Sequence, residues 1–174
     1  KKLVNAIMRR LSREGGKLTE KQDVEKLNTP EWLWKSWRKA YGEVACRSIA
    51  KAHLSEPPLD ITVKENAEIW ASKLGATLLL TGTLRLAKTA NVKQLVGFDE
   101  GAWWVQDAAA ALPVALLGNI KGKHIIDLCA APGGKTAQLI SRGARVSSVE
   151  RSNMRINRLE ENLARLKMTT KVFC

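Results

Sequence analysis

Apolar positions along this chain recur with two different spacings, and each spacing predicts a kind of element. Over residues 4–14, Val4, Ile7, Met8 and Leu11 fall at helical intervals with Arg9, Arg10 and Arg13 around them. The segment predicts an amphipathic helix that Gly15-Gly16 ends. Its apolar stripe has no partner nearby in sequence, so it packs on a surface elsewhere or turns its basic side to a polyanion. Thr29-Pro30 opens a second helix, since a Thr side chain accepts bonds from free backbone N–H groups and Pro is tolerated in the first turn. Trp34, Trp37 and Tyr41 follow at helical spacing as far as Gly42, and such an aromatic row reads as core.

Residues 43–54 predict a third helix, and Glu56-Pro57-Pro58 breaks the chain before Leu59-Asp60-Ile61-Thr62-Val63. That run alternates in the manner of a half-buried strand. Ala67, Trp70 and Leu74 mark a short helix closed by Gly75, and residues 77–81 and 84–86 predict two further strands. Together these make an α+β module over residues 19–100. The organisation changes at Gly101. Trp103-Trp104-Val105 is a short apolar run, and residues 107–117 form an Ala/Leu-rich helix that Pro113 bends or divides. Strand, glycine loop, helix, strand and helix then follow over residues 123–128, 129–135, 136–141, 144–150 and 153–167, with a last strand starting at Lys171. This alternation is that of a parallel α/β sheet wound as in nucleotide-binding folds.

Composition narrows the partners. With 45% hydrophobic residues the chain can bury a core, and 29 Lys and Arg against 17 Asp and Glu leave a net charge of +12. That excess concentrates polyanions such as RNA or DNA around the molecule. Cys46, Cys129 and Cys174 have no CxxC or Cys/His spacing, which argues against a disulfide framework or a metal site and favours a reducing cytoplasm. No apolar run has the length of a membrane span. The first residue is not Met and Lys171-Val172-Phe173-Cys174 reads as a strand just begun, so both ends read as cut.

The strand His124-Ile125-Ile126-Asp127-Leu128 delivers the chain into Cys129-Ala130-Ala131-Pro132-Gly133-Gly134-Lys135-Thr136. Small residues there let backbone approach a ligand, and the next helix begins with free N–H donors suited to a carboxylate or phosphate. A phosphate-binding loop of the G-x-x-x-x-G-K-T kind needs Gly at the position that Cys129 occupies, so that reading fails. The dinucleotide spacing G-x-G-x-x-G is absent as well. What remains is a glycine turn after one strand with Glu150 at the tip of the next, where a carboxylate can accept bonds from both ribose hydroxyls of an adenosine. This suits S-adenosylmethionine, the turn taking its methionine end and Glu150 its sugar. The bland alternative is a tight turn beside an ordinary surface carboxylate.

The run from Asp127 to Thr136 resembles the cofactor motif of the Fmu/Sun family of RNA cytosine-5 methyltransferases. Gly101-Ala102-Trp103-Trp104-Val105-Gln106-Asp107 is similar to the start of that family's catalytic domain. Val149-Glu150-Arg151-Ser152, Arg155 and Asn162-Leu163-Ala164-Arg165-Leu166 resemble its second strand and following helix. Leu33, Trp37, Tyr41-Gly42 and Pro57-Pro58-Leu59-Asp60 are similar to the linking domain of its bacterial members acting on small-subunit ribosomal RNA, and Asn5-Ala6-Ile7-Met8-Arg9-Arg10 to the last helix of their amino-terminal RNA-binding domain.

The resemblance implies an α/β class: residues 1–18 as that last helix, 19–100 as the α+β linking domain, and 101–174 as the first half of a Rossmann-like methyltransferase domain. It implies S-adenosylmethionine as cofactor, ribosomal RNA of the 16S type as partner, and no membrane or metal. Cys129, Ala130, Ala131, Pro132, Gly133, Gly134 and Lys135 would line the cofactor and Glu150 would hold its ribose. Many members carry Asp where this chain has Glu150.

Cytosine C5 is a weak nucleophile, so methylating it requires a thiolate to add first at C6, and then a base to take the C5 proton. The resemblance implies two cysteines for this work, both beyond the fourth strand of the family fold, whereas this chain ends at its third. No catalytic residue is expected here, and the chain is expected to be inactive alone. Cys129 reads as a packing residue of the loop, Cys46 as part of a helix, and Cys174 has no base beside it. His53 and His124 lack ligand spacing. On the helix over residues 153–167, Ile156, Leu159, Leu163 and Leu166 must cover the sheet, while Arg151, Arg155, Arg158 and Arg165 read as solvated or as lying along an RNA path. The competing functional readings are an RNA-binding module with a vestigial cofactor loop and an α/β enzyme using another adenosine ligand. A half-sheet also leaves an open strand edge, so intermolecular pairing or fraying is expected near the carboxyl end.

Overall fold

The computed structural model describes residues 2–20, 22–87 and 91–174. The chain divides into two compact units, Lys1–Pro57 and Pro58–Cys174.

The first unit is helical: α1 (Lys2–Thr19), α2 (Val24–Leu27) and α3 (Glu31–His53). Helix α1 does not stop at Gly15-Gly16, as the sequence suggested. Two glycines cost about 2 kcal/mol of helix propensity, but Thr19 Oγ1 donates to the carbonyls of Gly15 and Gly16 at 3.2 and 3.0 Å and satisfies the last turn. Thr29 does not cap α3 either. Its hydroxyl donates backwards to Glu25 O at 2.8 Å, closing α2, and Pro30 stands at the start of α3 with no side-chain cap. Within α3 the backbone leaves helical geometry at Gly42 (φ 80°, ψ 171°), so the two helices read from the sequence are there, joined at a kink. The aromatic row divides. Trp34 is buried with Cys46 and Ala50, Trp37 packs against them, and Tyr41 is exposed. Arg47 lies over the Trp34 ring at 5.4 Å and pairs with Asp23 at 2.8 Å, tying α3 to the residue that caps α2.

The second unit holds two sheets. β1 (Leu59–Val63), β2 (Thr77–Leu78), β3 (Leu84–Leu86) and β4 (Trp103–Val105) form an antiparallel sheet in the order β2-β3-β1-β4, with α4 (Ala67–Leu74) closed by Gly75. The run over residues 77–81 makes only a two-residue strand. Leu79 N bonds to Thr83 O at 2.8 Å and Gly82 N to Leu79 O at 2.9 Å, so the chain turns where the strand was expected to continue. Ile61, Leu84, Leu86 and Trp103 make this sheet's core.

The parallel sheet follows: β5 (His124–Asp127), α6 (Gly134–Ser141), β6 (Arg145–Val149), α7 (Asn153–Arg165) and β7 (Lys171–Phe173), in the order β5-β6-β7. This is the Rossmann-like half-sheet expected from the alternation. The last strand is formed and paired to β6, Ser147 opposite Lys171 and Val149 opposite Phe173, so the carboxyl end does not fray as expected. Helix α5 (Ala108–Ala115) precedes it, capped by Asp107, whose carboxylate accepts from the N–H groups of Ala109 and Ala110, with Pro113 inside.

The two sheets are joined by buried polar contacts. Trp104 Nε1 donates to Gln106 Oε1 at 3.0 Å, Gln106 Nε2 to Gln138 Oε1 at 2.9 Å, and Gln138 Nε2 to Ala111 O at 3.0 Å. The loop before β4 meets the end of α7 so closely that a Cβ on Gly101 would lie 2.2 Å from Arg165 O. Only glycine fits there, the more so at φ 69°. Arg165 closes the same junction by donating to Phe98 O and Trp103 O at 2.6 and 3.1 Å, and Lys64 Nζ donates to Leu166 O. Burial pulls the Lys64 ammonium below the usual lysine range, with Lys167 and Arg165 adding to the shift. Arg165 is therefore a structural clamp, neither simply solvated nor free for RNA.

Candidate functional site

The glycine loop leaves the carboxyl end of β5 and enters α6. It is short of side chains where backbone must come close, and the neighbouring strand stabilises it: Ala130 N donates to Val149 O at 3.1 Å. Gly133 N closes back on Ala130 O at 2.7 Å. Gly133 itself, at φ 107°, has Leu159 Cδ1 only 2.9 Å from where a Cβ would stand, so geometry and space both demand glycine. It starts α6 without any side-chain cap, leaving the first backbone N–H groups of that helix for solvent or a ligand.

The expected site residues divide by exposure. Ala130, Ala131 and Gly133 are buried, Gly134 is half-buried, and Cys129, Pro132 and Lys135 are exposed. A cleft beside the loop is lined by Gln106, Asp107, Ala131, Pro132 and Lys135, and a second hollow on the α7 side by Phe98, Trp104, Gly133, Asn162 and Arg165. Glu150 lines neither of these. It follows β6 directly, its backbone N–H bonded to Phe173 O at 3.0 Å, and its side chain is only 3% exposed. Its Oε1 accepts from Ser152 N at 3.3 Å and from Arg155 Nη1 at 3.4 Å. Its Oε2 stands 3.2 Å from the same Arg155 nitrogen, off the hydrogen-bond direction, and has no hydrogen-bond partner. A buried carboxylate oxygen without a partner is costly, and an incoming hydroxyl would relieve it.

Glu150 and the loop communicate through a residue that the sequence reading left to solvent or RNA. Arg155 Nη2 donates to Ala131 O at 2.7 Å while Nη1 faces Glu150. Asn162 Nδ2 donates to Pro132 O at 2.8 Å. The signal for both lay in the spacing of α7, where residues 155 and 162 share a face with the buried Leu159. Below the loop, Thr136 Oγ1 donates to Asp127 Oδ2 at 2.8 Å and contacts Ser148 Oγ at 3.3 Å, so a polar chain ties α6 to both strands.

The other candidates take structural places. Cys46 Sγ donates to Trp34 O at 3.6 Å inside the helical unit, whereas Cys129, expected to pack within the loop, is exposed because it stands at the loop's outer side, and Cys174 is exposed as well. His53 lies against Trp37, ring centroids 5.3 Å apart, and His124 Nε2 is 2.9 Å from Ser147 Oγ. Among the described residues no group of acidic, His and Cys side chains could hold a metal ion, and no helix is long and apolar enough to cross a membrane.

Comparison with known proteins finds relatives in sequence and in fold. Residues 114–174 match the sequence model of the 16S rRNA methyltransferase RsmB/F family. Over 99% of its length the chain is 36% identical to the ribosomal RNA small subunit methyltransferase B of Enterobacter sp. (strain 638), and 34% identical to that of Vibrio cholerae. It spans 43% of the length of these relatives. A methyltransferase homolog from Pyrococcus horikoshii superposes with a TM-score of 0.70 at 21% identity, covering 85% of this chain and 53% of its own. NSun6 from the same organism, solved with SFG, superposes at 0.63 and 16% identity, covering 83% of this chain and 65% of its own. The family relationship read from the loop motif is borne out, and so is the Rossmann-like fold.

Proposed function

We propose that this chain is the cofactor-binding part of an S-adenosylmethionine-dependent methyltransferase that acts on cytosine C5 in small-subunit ribosomal RNA. The observation that carries the reading is the pairing of a capless glycine turn with a buried carboxylate, Glu150, one of whose oxygens lacks a hydrogen bond. The donor set fits the cofactor: N–H groups at the start of α6 for an amino-acid carboxylate, small residues for close approach, and a buried acceptor for ribose hydroxyls. When bound, S-adenosylmethionine supplies an electrophilic methyl group.

This chain's own residues would hold and orient that group. Cys129 to Lys135 would line it and Glu150 would fix its sugar. A nucleophilic thiolate would come from sequence outside this chain, with the exposed Cys129 and Cys174 given no catalytic part. Residues 1–18 and 19–100 would serve as the end of a helical RNA-binding domain and as a linking domain, with the +12 charge drawing the RNA backbone. Its place of work would be the cytoplasm, on ribosomal RNA.

Calorimetric titration of the full-length protein with S-adenosylmethionine tests the reading. Wild type is expected to bind, and Gly133→Val to lose more than about tenfold in affinity because the new side chain meets Leu159 in a backbone conformation that disfavours it. Transfer of labelled methyl to unmodified small-subunit RNA, with the product identified by mass spectrometry, should yield 5-methylcytidine. RNA binding without any cofactor binding would favour the vestigial-loop alternative, and a methyl group elsewhere than C5 would overturn the cytosine assignment.

A further inference from the structure

Helix α7 does more than cover the sheet. Three of its side chains, from residues 155, 159 and 162, point along one face, because positions four and seven apart return to nearly the same side of a helix. Each meets a different residue of the glycine loop. Arg155 holds the Ala131 carbonyl at 2.7 Å, Asn162 holds the Pro132 carbonyl at 2.8 Å, and Leu159 fills the space that a Gly133 side chain would take. Arg155 meanwhile faces both oxygens of Glu150, at 3.4 and 3.2 Å, with Ser152 N donating to Oε1. Only Oε2 is left without a hydrogen bond.

We infer that Arg155 and Asn162 are positioning residues of the cofactor site: together they set the loop backbone on α7, and Arg155 also turns Glu150 so that Oε2 is presented to the ribose. The inference rests on the cofactor reading above. Burial alone does not account for Arg155, because its side chain is 55% exposed and the helix is already anchored by Leu159 and Leu163. What its forked guanidinium supplies is direction, since two N–H groups reach two different acceptors in one plane. Lysine, whose three N–H donors sit on one nitrogen rather than on a spread fork, would stay beside Glu150 only by releasing the Ala131 carbonyl.

The two roles separate in one experiment on the full-length protein, in which S-adenosylhomocysteine and its 2′,3′-dideoxyribose counterpart are titrated calorimetrically. Wild type should prefer the ribose-bearing ligand by about tenfold or more. Arg155→Met should weaken S-adenosylhomocysteine about tenfold and cut that preference at least about threefold, since Glu150 is no longer oriented. Arg155→Lys should keep the preference and weaken both ligands alike, and Asn162→Leu should do the same through the loop. A purely structural role would lower the melting temperature while leaving affinities and preference within about twofold of wild type, and would overturn the inference. Should Arg155→Met fail to fold, Arg155→Lys and Asn162→Leu decide it by the same criterion. If wild type binds neither ligand, the cofactor reading itself has failed, and the inference with it.

Discussion

Helices α1 and α7 carry the same kind of apolar stripe and meet opposite fates. In α1, Leu3, Val4, Ile7, Met8 and Leu11 are all 48–74% exposed. In α7, Leu159 is fully buried and Leu163 nearly so, packed with Trp104, Ala130, Ala131 and Ala137. The periodicity is equally clear in both. The difference is that α7 follows directly from β6 and lies on a sheet whose strands and loop supply apolar atoms, whereas no described residue of the first unit covers the face of α1. Amphipathic spacing therefore reports that a helix forms a face, and the surface available decides whether burial follows. Charged groups divide in the same way. Arg10 and Glu14 pair at 2.8 Å on the open surface of α1, while Asp60 in β1 is almost wholly buried and receives Arg85 Nε and Nη2 at 2.7 and 2.8 Å and Ala108 N at 3.0 Å.

The largest expected effect lies under the glycine loop. Leu159→Ala should destabilise the protein by about 3 kcal/mol, the usual cost of truncating a fully buried leucine, read as a shift of the urea midpoint. A loss under about 1 kcal/mol would mean that the site collapses freely and would break the contrast with α1.

Next comes Asp60. Its hydrogen bonds from Arg85, reinforced by Ala108 N, hold its carboxyl below the ordinary value of 3.8. A carboxylate whose folded pKa is depressed contributes stability that is complete above its unfolded value and disappears as pH falls through the folded one. Asp60→Asn should cost about 2 kcal/mol at pH 7, less than a fully buried pair because Arg85 is partly exposed, and should lose less further stability between pH 4 and pH 2 than wild type. Parallel unfolding curves for the two proteins across that range would contradict the assignment.

Smallest is Ile7→Ser on the bare face of α1, expected to change the stability of the 174-residue chain by less than about 0.5 kcal/mol. The same substitution made in the full-length protein reports on whether the stripe is covered there. A cost above about 1 kcal/mol there would show that a partner surface covers the stripe.

Much of the architecture was legible because it rests on local chemistry. β1, β3, α4 and the β5-to-β7 alternation were readable from spacing, and the loop from Cys129 to Lys135 from its small residues. Errors arose where a side chain overrode a local signal. Gly15-Gly16 reads as a stop, yet the Thr19 hydroxyl caps the helix beyond it, and Thr29 reads as a start, yet its hydroxyl serves the helix before it. Spacing could place Arg155 and Asn162 on the Leu159 face of α7, but what they and Arg165 hold was not legible, because their acceptors are main-chain carbonyls at least 24 residues away in sequence and a carbonyl leaves no mark in a pattern of side chains.

Local pattern alone was enough for the strand and helix alternation from β5 to β7, the glycine turn after β5 and the acid after β6, since periodicity and small residues act over a few positions, whereas α2 and the strand character of β4 did not show in it. The packed fold was needed to bury Glu150 with one oxygen to spare, to set α7 on the loop, and to bring the carbonyl of Arg165 against Gly101. These depend on groups distant in the chain converging within hydrogen-bond or van der Waals reach, and that convergence is set by packing the sheet, loop and helix together.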